Sequence, residues 1–125
     1  MNRSEAREEA FKQVFQYIIQ KEIDTEDIEE TFTKLIVEGV LHHEADIKHI
    51  IENHLTNWSF NRLPNVEKSI LYIATYELLF TDDIPVGVGI NEAVELAHKY
   101  GDDESSKFIN GVLSKIAKHK GDSEE

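Results

Sequence analysis

Val66-Glu67-Lys68-Ser69-Ile70-Leu71-Tyr72-Ile73-Ala74-Thr75-Tyr76-Glu77-Leu78-Leu79-Phe80 is the stretch that decides how the rest of the chain must be arranged. Ile70, Leu71, Ile73, Ala74, Leu78 and Leu79 recur at helical spacing and cover so much of the circumference that little of the helix can face water. Such a helix needs others around it, so it is expected to run through the centre of a bundle. Thr75 and Glu77 interrupt its most apolar part, Ile70 to Phe80, which is far too short to span a bilayer, and no membrane association is expected. Asn65 is placed to cap its start, and Thr81-Asp82-Asp83-Ile84-Pro85 to end it.

Working outward toward the N-terminus, Ser59-Phe60-Asn61-Arg62-Leu63-Pro64 reads as a junction between two halves. Before it, Ile47, Ile50, Ile51, Leu55 and Trp58 mark a third helix, set off by the polar His42-His43-Glu44 break. A second helix, capped by Thr25, carries Ile28, Phe32, Leu35, Ile36, Val40 and Leu41 on one stripe. The first helix runs from a Ser4 cap to about Lys21, on Ala6, Ala10, Val14, Phe15, Tyr17 and Ile18. Toward the C-terminus, Ile90, Ala93, Val94, Leu96, Ala97 and Tyr100 form a fifth helix, with Gly101 at the place of a left-handed cap. Phe108, Ile109, Val112, Leu113, Ile116 and Ala117 form a sixth, whose positive end is complemented by Asp102, Asp103 and Glu104. No segment alternates at the period of a strand. The expected fold is all-α: one domain over 1–125, with about six helices in two stacked three-helix subdomains, 1–58 and 65–120, and a flexible acidic tail at 121–125.

A chain of 125 residues, 40% hydrophobic and 30% charged, can bury a core without staples, and it has no cysteine for disulfides, thiolate metal sites or a thiol nucleophile. The N-terminus turns polar at once, without a stretch of signal-peptide length, so a cytoplasmic location is expected. The net charge of −12 would repel nucleic acid if it were spread evenly. Acids instead gather at Glu22, Asp24, Glu26, Asp27, Glu29 and Glu30 and in the tail, so any site for a polyanion has to be local.

Few residues suggest chemistry. Gly87 and Gly89 resemble part of a phosphate loop, but no strand leads into them, and a tight entry into the fifth helix behind Pro85 accounts for them. Asp46 with His49, and Glu95 with His98, have the carboxylate-imidazole spacing of helical metal sites, yet Glu52, Glu92 and Glu95 fall on polar faces where such a site needs inward glutamates. There is no nucleophile elbow and no Walker pattern, so catalysis is not expected. Arg3 and Arg7, four apart near the positive end of the first helix, make a small anion site, or else pair with Glu5, Glu8 or Glu9.

Longer tracts resemble a known family. Arg3-Ser4-Glu5-Ala6-Arg7-Glu8-Glu9-Ala10 with Phe15-Gln16, Leu35-Ile36-Val37-Glu38-Gly39-Val40, and Trp58 with Arg62-Leu63, Val66-Glu67 and Ile70-Leu71 are similar to the NusB family of transcription antitermination factors. So are Tyr76-Glu77-Leu78, Ile84-Pro85, Ile90-Asn91-Glu92-Ala93-Val94-Glu95-Leu96-Ala97 and Lys107-Phe108-Ile109-Asn110-Gly111-Val112-Leu113, in the same order and spacing across nearly the whole chain. The resemblance implies a bacterial, non-catalytic, RNA-binding adaptor. With NusE, a small-subunit ribosomal protein, it would bind boxA RNA in nascent transcripts, notably of ribosomal RNA operons, within an RNA polymerase antitermination complex. It implies no cofactor, and it allows a homodimer. Carried over by position, Arg3, Arg7, Glu104 and Lys107 match RNA-binding positions, and Phe15 and Glu67 match positions facing NusE. Ser4 and Glu5 stand where the family often has basic residues, as does Tyr72 in the central helix, so weak RNA binding by the chain alone is expected. The open alternative is a helical interaction or dimerisation module that does not touch RNA directly.

Overall fold

In a computed structural model, the backbone is described over residues 1–124, and side chains over the same range except His119 and residues 121–124. The side chains of the expected acidic tail, and Glu125 altogether, lie outside the described residues. Six α-helices are present among the described residues: α1 (Arg3–Gln20), α2 (Thr31–His42), α3 (Glu44–Asn53), α4 (Asn65–Phe80), α5 (Val86–Tyr100) and α6 (Asp103–Glu124). No described residue forms a strand.

The central position expected of the 66–80 segment is where α4 lies. Every residue of α4 from Ser69 to Leu78 is buried, and it packs against all five other helices. One hydrophobic core therefore crosses the junction between the halves, running from Val14, Ile36, Ile47 and Ile51 through Ile70, Leu71 and Ile73 to Ile109, Leu113 and Ile116. Two glycines set close approaches to α4. A Cβ on Gly39 of α2 would overlap the ring of Tyr76, and one on Gly89 of α5 would come within 3.0 Å of Leu78 Cδ2. The tight entry expected behind Pro85 is thus a helix crossing at Gly89, whereas Gly87 has open space beside it.

Several ends differ from expectation, each for a local reason. Asn2, not Ser4, caps α1: its side chain accepts from the Glu5 amide at 2.8 Å while Glu5 reaches back to the Asn2 amide, a reciprocal capping box. Thr25 opens only a 3-10 turn over Thr25–Asp27, closed by Asp24, and Glu30 then caps α2 by accepting from the Thr33 amide at 2.7 Å. Helix α3 ends at Asn53, so Leu55 and Trp58 do not extend its apolar face. At its last turn the His54 amide donates to the Ile51 carbonyl at 3.0 Å, and the His54 ring Nδ1 lies 2.7 Å from the Ile50 carbonyl. Pro64 occupies the cap of α4, and Asn65 is its first helical residue. Gly101 does not adopt the left-handed form, with φ at −118°. That conformation belongs to Lys21, which ends α1 at φ 65° and donates its amide to the Tyr17 carbonyl at 2.7 Å.

Candidate functional site

The two arginines at the start of α1 have different fates. Residues 3 and 7 share a face, as their spacing requires, and both guanidinium carbons lie over the Phe32 ring, at 4.1 and 5.3 Å from its centroid. Arg3 is exposed. Arg7 is 6% exposed and bound from two nitrogens to Glu77 of α4, at 2.6 and 2.9 Å, with Glu92 of α5 at 3.4 Å. Its partners are therefore long-range carboxylates rather than Glu5, Glu8 or Glu9. Ser4 donates to the same Glu92 oxygen at 2.6 Å, so the position where the family often has a base instead fastens α1 to α5.

Beside this corner, Glu8 accepts from Lys99 Nζ at 2.8 Å and from the Tyr100 hydroxyl at 2.5 Å. The Lys99 bond, then the Tyr100 bond, holds the Glu8 carboxyl below its ordinary range, and the same contact pushes the Tyr100 phenol up to about 12. Lys107 is exposed in a groove with Ile90, Asn91, Val94, His98 and Asn110. Arg3 thus packs on Phe32 of α2, whereas Lys107 lines the groove between α5 and α6.

The positions matched to a protein partner lie elsewhere. Phe15 is half-buried in an open groove of about 620 Å³ along α1, shared with Phe11, Lys12, Ile19, Val66 and Tyr100. Ile19 is 56% exposed, one turn beyond Phe15. Together they form a second apolar stripe on α1, offset from the core stripe of Ala6, Ala10, Phe11 and Val14. That stripe is visible in the spacing once the core stripe has been subtracted, and it was the signal for Ile19. Glu67, in the first turn of α4, is 8% exposed and accepts from the Ser105 hydroxyl at 2.5 Å. It lines a cleft with Trp58, Asp102, Glu104 and Phe108, so Glu67 and Glu104 are brought together although they were matched to different partners. Trp58 is 56% exposed there, a surface role that its apparent place on the third helix concealed.

Asp46, His49, Glu95 and His98 are all exposed, on α3 and α5, and His98 lies 3.8 Å from Asp103. Among the described residues no group of three or more His, Asp or Glu is arranged to hold a metal ion, and no helix is long and apolar enough to cross a membrane. Tyr17 donates to Glu44 at 2.6 Å, which pushes its phenol up to about 12, and the buried Tyr72 hydroxyl lies 3.5 Å from the same carboxylate.

Comparison with known proteins agrees with this geometry. The NusB family model matches residues 1–118. The transcription antitermination protein NusB of Oceanobacillus iheyensis is 46% identical over 125 residues, covering 93% of this chain and 98% of that protein. A crystal form of T. maritima NusB superposes with a TM-score of 0.86 at 37% identity, covering 94% of this chain and 92% of that one. A chain from the crystal structure of the antitermination factors NusB and NusE in complex with dsRNA gives 0.83 at 31% identity, covering 94% and 96%. With five helices packed around a buried α4 and sequence likeness that runs nearly end to end, this chain belongs to the NusB family.

Proposed function

We propose that the chain is a transcription antitermination factor which, together with the ribosomal protein NusE, holds boxA-type RNA in nascent transcripts, notably those of ribosomal RNA operons, as part of an RNA polymerase antitermination complex. The observation that carries this reading is the whole-length likeness to the NusB chain of the complex with NusE and dsRNA. In this reading the protein is a cytoplasmic scaffold without catalytic activity or cofactor.

The physical account assigns unequal roles to the matched residues. Arg3 and Lys107 are exposed cations able to meet phosphate, while Arg7, bound to Glu77, acts from beneath by holding α1 against α4. The groove beside Phe15 and the cleft at Glu67 face NusE. Two phosphate-meeting cations on a chain of net charge −12 give little affinity alone, so a shared RNA must be held by both proteins at once. The high acidity is also what favours the second reading, a protein-interaction or dimerisation module that leaves RNA to its partner.

A mobility-shift titration of boxA RNA separates the two. The adaptor reading expects the mixture with NusE to retain the RNA at concentrations where NusE alone does not. Equal retention with and without this chain, while the two proteins still associate, would favour the second reading.

A further inference from the structure

Phe32, the second residue of α2, belongs to the apolar stripe of that helix, yet it is only half-buried, and both guanidinium groups of α1 lie over its ring. The two are held there in different ways. Arg7 is fixed from the α4 side by Glu77, which also balances its charge. Arg3 has no such partner. Among the described residues no carboxylate lies within ion-pair distance of it, although the chain has 25 acidic residues against 13 lysines and arginines and pairing is the ordinary fate of a cation there. The acidic neighbours in the chain are engaged at helix starts: Glu5 reaches back to the Asn2 amide, and Glu30 accepts from the Thr33 amide and hydroxyl at 2.7 and 3.1 Å. What is left for Arg3 is the face of Phe32, its guanidinium carbon 4.1 Å from the ring centroid.

We propose that Phe32 is a positioning residue for RNA capture: its ring orders the Arg3 guanidinium for a phosphate of the transcript without neutralising it. The inference rests on the adaptor reading and adds the residue that stands behind the contact. The difference between a ring and a carboxylate as partner carries the argument. A carboxylate orders an arginine side chain but takes up its N–H groups and cancels the charge that a phosphate would meet. An aromatic face attracts the cation through its quadrupole, keeps the charge in place and leaves the N–H groups at the guanidinium edge free to donate. Ordering the side chain beforehand removes part of the rotamer entropy that binding otherwise costs. The ring is itself held in register with α1, because the hydroxyl of the adjacent Thr33 donates to the Ala6 carbonyl at 2.9 Å in a buried seam. The Asn2–Glu5 capping box fixes the backbone from which Arg3 projects.

Two measurements test this. The arginines of the chain are Arg3, Arg7 and Arg62, so the Nε–Hε region of a proton-nitrogen NMR spectrum of the free native chain is simple, and Arg3→Ala identifies the Arg3 signal. Its proton should lie upfield of that of the exposed Arg62, displaced by the ring current, and Phe32→Leu should remove the displacement. The second measurement is the affinity of boxA RNA for the mixture with NusE, for the native chain, Phe32→Tyr, Phe32→Leu, Arg3→Ala and the double variant. Phe32→Leu keeps every charge and loses the ring, so affinity should fall about two- to fivefold with the salt slope unchanged, whereas Phe32→Tyr should bind as the native chain does. In the Arg3→Ala background, Phe32→Leu should weaken binding no further, a non-additivity that damage to the fold would not produce. Should Phe32→Leu fold poorly, the spectrum of the native chain and the Phe32→Tyr affinity decide. An Arg3 signal without displacement, weakened binding by Phe32→Tyr, native affinity for Phe32→Leu, or an equal further loss when Arg3 is absent would each overturn the positioning role while RNA retention by the native mixture stands. A native mixture that holds boxA RNA no better than NusE alone overturns the adaptor reading, and the positioning role with it.

Discussion

Arg7 and Glu77 show how much one pair of residues controls. Both side chains are at most 7% exposed, and they meet through two charge-assisted hydrogen bonds between helices that are far apart in sequence. Truncating one partner strands the other charge in the core. Arg7→Met is therefore expected to cost about 3–5 kcal/mol, read as a lower midpoint in urea unfolding. A loss under about 1 kcal/mol would mean that Glu77 finds water or another cation. Arg3→Ala, at an exposed position on the same face, should leave that midpoint nearly unchanged. The sequence could show that the two arginines share a face. It could not show that one of them faces inward, because Glu77 and Glu92 lie in distant helices and no local spacing links them to Arg7.

At the scale of elements, the approach of α2 to α4 depends on Gly39. A Cβ there would overlap the Tyr76 ring, which is itself buried and cannot swing into solvent. Gly39→Ala is expected to destabilise by about 1–3 kcal/mol in thermal or chemical unfolding, with part of the loss recovered when Tyr76→Leu is added. Additive losses would show that the crossing is not the cause. Helix type and order were legible throughout, because the apolar stripes of α4, α5 and α6 persist over several turns. The ends were less so. Cap choice at Asn2, Glu30 and Lys21 depends on which of several adjacent polar residues wins a hydrogen bond, and each candidate has the right chemistry. Trp58 looked like core because its spacing from Ile47 and Ile51 suited a helix that ends at Asn53.

Across the whole molecule, the titrating groups define a window of stability. Glu8, Glu30 and Asp102 have carboxyls held below their ordinary range by hydrogen bonds, from Lys99 and from the Thr33 and Ser105 amides respectively. Groups lowered in this way stabilise the fold above their unfolded values, near 4, and the stabilisation is lost as pH falls through the folded ones. All four tyrosines shift the other way: Tyr17 and Tyr100 reach about 12, each chiefly through its carboxylate hydrogen bond, and Tyr72 and Tyr76 are raised chiefly by burial. A raised phenol stabilises the fold fully below pH 10, and that contribution is lost as pH rises toward 12. The native chain at pH 10 should therefore show little tyrosinate absorbance, whereas the urea-unfolded chain shows about half of its full value. Half-ionisation in the native state would mean that these hydroxyls are free.

RNA capture is also a property of the whole, since the charge of −12 makes any phosphate contact depend on where the few exposed cations stand. The sequence supplied the family tracts and the positions of Arg3 and Lys107, but not their surroundings, Phe32 of α2 for the one and the groove between α5 and α6 for the other. The most direct measurement is the anisotropy of labelled boxA RNA with this chain and NusE together, over a series of salt concentrations, for the native chain, Arg3→Ala and Lys107→Ala. The account predicts tighter binding than NusE gives alone, and for each variant a few-fold loss with a log-log salt slope shallower by about 0.7. Identical affinities and slopes for all three chains, with the two proteins still associated, would contradict it.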